Sequence, residues 1–168
     1  MKIMSTLLRW VEALNQDDIQ ARWLNIGLAV SLGLLANVLA LWCGRGMESD
    51  SAPWFAPPAW IAALVWLFLF ALLGASRWML NSYTIIGVAT ARTMVTLLIA
   101  CCLLWPFYSL PVVDLGIALA ANIITTALAI ATIVIVRRRS VEAASLVMPL
   151  VVWLAFATIV ALAAIGRL

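Results

Sequence analysis

Catalysis needs groups that move protons, attack carbonyls or hold metals, and the sequence is poor in all of them. There is no histidine, which removes the commonest general base and metal ligand. The seven acids are Glu12, Asp17, Asp18, Glu48, Asp50, Asp114 and Glu142, and all lie outside the central parts of the apolar runs. No carboxylate pair, nucleophile–base pair, phosphate loop or metal cluster can be assembled, so no catalytic residue and no metal ligand is assigned. Cys43, Cys101 and Cys102 have neither disulfide nor zinc spacing and read as small hydrophobes. A net charge of +3, with the basic residues scattered at the ends of apolar runs, speaks against a nucleic-acid partner.

What the chain has instead is tryptophan, nine in 168 residues. Trp23, Trp42, Trp78 and Trp105 fall near the ends of apolar runs, where indoles anchor helices at the membrane surface. Trp66 and Trp153 lie several residues inside such runs. A buried indole offers a flat π-face and an N–H that needs an acceptor. Two of them inside one bundle read either as plain core packing or as walls of a cavity for a flat apolar ligand.

Those rings need a scaffold, and composition dictates its class. Hydrophobic residues make up 67%, charged residues 10%, and mean hydropathy is +1.15. A soluble domain of this size has no place for so much apolar side chain, so lipid must be the solvent for much of the surface. Five runs are long enough to cross a bilayer as helices, at about 24–43, 59–76, 85–106, 115–136 and 145–166. No period-2 alternation competes, so the expected fold is an all-α, five-transmembrane-helix bundle over residues 23–168.

Residues 1–22 stand apart. They are polar and amphipathic, lack the compact apolar core of a signal peptide, and place Ile3, Leu7, Trp10, Val11 and Leu14 at helical spacing. That predicts an N-terminal amphipathic interfacial helix, lying on the membrane or docked on a partner subunit. Pro57-Pro58 suits the start of the second span, and Pro106 and Pro111 are expected to end the third.

Basic residues flanking the spans fall unequally. Lys2, Arg9, Arg22, Arg77 and Arg137 to Arg139 lie on the N-terminal side, against Arg45 and Arg167 on the other. In a bacterial inner membrane this puts the N-terminus in the cytoplasm and the first loop outside. Arg92 falls inside the third span near its inner end. It reads either as a snorkelling side chain or as an intramembrane cation facing an anionic ligand or partner. Small residues on the first and fourth spans, with Asn37 and Asn122, suit close helix contacts within the bundle or in a homodimer.

Three stretches carry a family resemblance. Residues 54–60 read W-F-A-P-P-A-W, followed by Trp66, Phe70 and Leu73-Gly74. Residues 103–108 read L-L-W-P-F-Y, and residues 149–158 read P-L-V-V-W-L-A-F-A-T. In this order on five spans they resemble the TspO/translocator protein family, also called the tryptophan-rich sensory protein or peripheral benzodiazepine receptor family. The resemblance covers about residues 24–168. It implies a five-helix bundle, often a homodimer, with a pocket near the loop between the first two helices. Members bind porphyrins, sterols or lipids, and some are reported to break down porphyrin under light. By position it implies a ligand site of Trp54, Trp60, Trp66, Phe70, Trp105, Phe107, Trp153 and Phe156. No cofactor is required, and a bound porphyrin, other tetrapyrrole, sterol, carotenoid or lipid is the implied occupant. The implied role is sensory, regulatory or in transport, with membrane lipids and a hydrophobic small molecule as partners. The alternative is an accessory subunit of a larger membrane complex with a closed or lipid-filled pocket. Four positions depart from the family pattern: Phe55 stands where its Trp precedes x-P-P, Cys102 and Ala161 where it carries Asn, and Leu150 where it carries Tyr. The pocket is correspondingly greasier.

Overall fold

The computed structural model describes residues 2–42, 53–109, 115–164 and 166. All regular structure in them is helical: α1 (Lys2–Leu14), α2 (Ile19–Trp42), α3 (Ala59–Met79), α4 (Val88–Ser109), α5 (Leu115–Arg137), α6 (Val141–Ser145) and α7 (Met148–Ala164), with a short 3₁₀ turn at Leu80–Ser82 after α3. Five segments are long and apolar enough to cross a membrane, α6 and α7 together forming the fifth. Most of the first loop, with Cys43, Arg45, Glu48 and Asp50, lies outside the described residues, as do Pro111, Asp114 and Arg167.

The boundaries correct the hydropathy reading in four places, each for a local reason. The first span starts at Ile19, not near residue 24, because Asp18 caps it. The Asp18 carboxylate accepts the Ala21 amide at 2.7 Å, and that bond initiates a polar turn hydropathy cannot register. The third span begins at Val88, not 85, because Gly87 turns the chain at φ +86. Pro106 does not end it: α4 runs through that proline to Ser109. The fifth span is not one helix, since α6 stops at Ser145 and α7 starts at Met148. Pro149 has no N–H for the Ser145 carbonyl and its ring clashes there. The chain passes the gap on shorter bonds, Val147 to Ala144 and Leu150 to Val147, both at 3.1 Å. Pro57 and Pro58 sit just before α3, and the Pro58 carbonyl accepts its first amides from Ile61 and Ala62.

Close approach organises the packing. α2 lies along α3, α4 along α5, and α5 along α6 and α7, while α4 bridges to α2 and α3. At Gly74 an added Cβ would stand 2.7 Å from the Asn25 carbonyl oxygen and 2.8 Å from Ile26 Cα, so only glycine lets α2 and α3 touch there. The Phe70 side-chain ring lies directly against Gly33 of α2. The inward faces carry Phe70, Leu73, Val95, Leu98, Leu150 and Leu154, all essentially buried. Outward faces carry Leu28, Leu35, Phe68, Ile124 and Val152, exposed apolar surface suited to acyl chains. α3 also meets α6, where the buried Ser76 hydroxyl donates to the Ala143 carbonyl at 2.8 Å. Between α3 and α7 backbone contact is slight at most.

Candidate functional site: an aromatic seam between α3 and α7

The Ser76–Ala143 bond fixes depth. Trp66 stands ten residues before it on α3, and Trp153 ten residues after it on α6–α7. The two segments cross in opposite senses, so both indoles lie on the same side of that tie, Trp66 about 15 Å along α3 and Trp153 beyond the break between α6 and α7. Trp66 is 3% exposed and Trp153 is half-buried. The Nε1–H of each is sealed from solvent and has no acceptor. A buried amide-like donor without a partner costs about 1–3 kcal/mol, and these two are the buried side-chain polar atoms left without a bond among the described residues.

The remaining rings form two groups. Trp66 packs on Phe70 at 5.9 Å between centroids and on Trp105 at 5.0 Å, tilted by 46°. Trp153 packs on Phe156 at 5.6 Å. No ring contact joins the two groups among the described residues. Trp105, near the end of its span, is half-buried and tied into the bundle. Its Nε1–H donates to Asn122 Oδ1 of α5 at 2.9 Å, which locks α4 to α5 and fixes the ring behind Trp66. Phe107 is half-buried on the last turn of α4. Trp54 and Trp60 lie outside both groups. Trp54 is 95% exposed with Phe55 edge-on at 5.7 Å, and Trp60 is 65% exposed at the start of α3. Of the positions that depart from the family pattern, Cys102 and Leu150 are buried in the core and Ala161 is half-buried.

Sequence reasoning missed a second cluster, at the end of the bundle that carries α1. Asn25 and Asn81 donate to the Leu14 carbonyl, and Asn81 also to Gln16. Arg77 donates to Leu14, Asn15, Asn25 and Thr96. Trp78 donates to the Asp18 carbonyl, and Arg22 lies over the rings of both Trp23 and Trp78. These bonds tie the last turn of α1 to the bundle. The signal was present as Asn and Arg at span ends, which a charge count reads only as orientation.

Five apolar helices with exposed apolar exteriors and two groups of packed aromatic rings define an integral, multi-pass membrane protein of helical-bundle type. The chain belongs to the TspO/MBR family, whose profile matches residues 25–166. The match begins within α2, so α1 lies outside it. A search among curated proteins found no match.

Proposed function

We propose that the chain binds a flat apolar molecule between α3 and α7, with Trp66 and Trp153 as facing walls. The observation that carries this is the pair of sealed, unpartnered indole N–H groups, on two helices whose backbones barely meet. A ligand acceptor would satisfy either donor, and a π-system would stack on either ring. Phe70 and Trp105 stiffen Trp66 from behind, and Phe156 supports Trp153. With Cys102 and Leu150 in the core, the surroundings favour a tetrapyrrole, sterol, carotenoid or lipid over a polar ligand. A sensory, regulatory or transport role for such cargo fits the absence of a proton-moving constellation.

Titration of protoporphyrin IX into the detergent-solubilised protein, followed by tryptophan fluorescence, tests the proposal. Saturable quenching is expected, and Trp66→Phe with Trp153→Phe should remove its saturable part. Non-saturable quenching, or saturation indifferent to both substitutions, would refute it.

A second reading keeps the pocket closed and makes the chain a subunit of a larger assembly or a homodimer. The near-complete burial of Trp66 and the exposed Trp10 and Val11 on the anchored α1 favour it. Copurification at fixed stoichiometry from native membranes supports this reading; isolation of the chain only as a free monomer opposes it.

A further inference from the structure

A cavity of about 480 Å³ lies along α4 at the α1 end of the bundle. Its polar end is formed by Asn15, Arg77, Arg92 and Thr96, and no carboxylate lines it. From there it follows one stripe of α4, through Ala89, Thr93, Leu97 and Ala100, spaced to share a helix face. Ala89 and Ala100 are about 16 Å apart along the axis, so the groove runs from the span end well into the apolar zone. That stripe is exposed, while the opposite stripe of α4, Ala91, Val95, Leu98 and Cys102, is buried.

The two guanidinium groups are unequally occupied. Arg77 directs its Nε and both terminal nitrogens to Thr96, Leu14, Asn25 and Asn15, all neutral acceptors. Arg92 makes one long bond, 3.3 Å to Asn81 Oδ1. Among the described residues its side chain makes no other bond, and it lines the cavity. Two cations beside one partly dehydrated cavity repel each other, and an anion between them removes that cost. A soluble anion would use only the polar end. A group that also occupies the exposed apolar stripe must carry hydrocarbon, and at the end of a membrane span the bilayer itself supplies one.

We propose that this groove binds an anionic glycerophospholipid, its phosphate on Arg92 and the cavity edge of Arg77, with one acyl chain along Leu97 and Ala100. The site is independent of the Trp66–Trp153 seam. Arg77 also holds α1, so the bound lipid and the anchored amphipathic helix share one residue.

Native mass spectrometry of the full-length protein released from vesicles of equal phosphatidylglycerol and phosphatidylcholine tests this. The wild type should retain phosphatidylglycerol preferentially. Arg92→Gln should lower that retention about fivefold, the effect of one basic residue at a membrane surface, and Arg92→Lys should restore part of it. Leu97→Trp, which fills the acyl stripe without touching charge, should also lower retention, while Arg138→Gln, an exposed cation on the same end, should leave it unchanged. Equal retention of the two lipids would overturn the proposal. So would an effect of Arg138→Gln as large as that of Arg92→Gln, or displacement of the lipid by millimolar inorganic phosphate.

Discussion

The same substitution at two touching tryptophans should have unequal consequences. Trp66 and Trp105 pack on each other at 5.0 Å, and Phe at either site keeps an aromatic ring and removes a similar volume. The cavity terms therefore largely cancel in the comparison. What differs is the N–H. At Trp105 it is bonded to Asn122 Oδ1 at 2.9 Å, and Asn122 is buried. Trp105→Phe removes that bond and leaves a buried acceptor without its donor, at about 1–3 kcal/mol, toward the lower end between membrane helices. At Trp66 the N–H is sealed and unpaired, so Trp66→Phe removes a penalty of the same kind. Trp105→Phe should therefore be the less stable variant by about 2 kcal/mol. Thermal unfolding of ligand-free protein in mild detergent reads the difference directly. Equal losses, or Trp66→Phe as the more damaged protein, would refute the assignment of an orphaned donor, and the ligand argument would lose its main support.

Two further expectations concern the scaffold. Gly74→Ala should destabilise by about 1–3 kcal/mol, because its Cβ meets α2 backbone, whereas Gly27→Ala meets nothing within 4 Å and should stabilise by up to about 1 kcal/mol; paired melting curves decide this. Pro149→Ala should let α6 and α7 fuse, since it returns a donor to the Ser145 carbonyl. Slower amide exchange across residues 146–149 is the expected readout, and unchanged exchange would place the cause of the break elsewhere.

Membership in the TspO/MBR family rests on features spread along the chain, and those features were legible early. Uncharged runs of about 20 residues specify membrane helices because length and apolarity are properties of the chain alone. The helix ends were harder. Asp18 and Gly87 act through one carboxylate bond and one backbone angle, and neither changes an average over a window. Pro106 and Pro149 show that the same residue type can be absorbed by a helix or divide it, according to what the surrounding structure supports.

By itself, the sequence determined the solvent, the number of apolar spans and the surplus of indole rings, because each follows from composition and local periodicity. Tertiary structure decided which rings meet, which N–H groups find acceptors and where cations lack anions. Trp66 is sealed while Trp60, six residues earlier, is open, and Trp105 is satisfied only because Asn122 arrives from another helix. Arg77 is engaged and Arg92 largely is not, for the same reason. Partners contributed by distant segments depend on how helices cross, and that is fixed by contacts such as Gly74 on the α2 backbone, not by the residues being partnered.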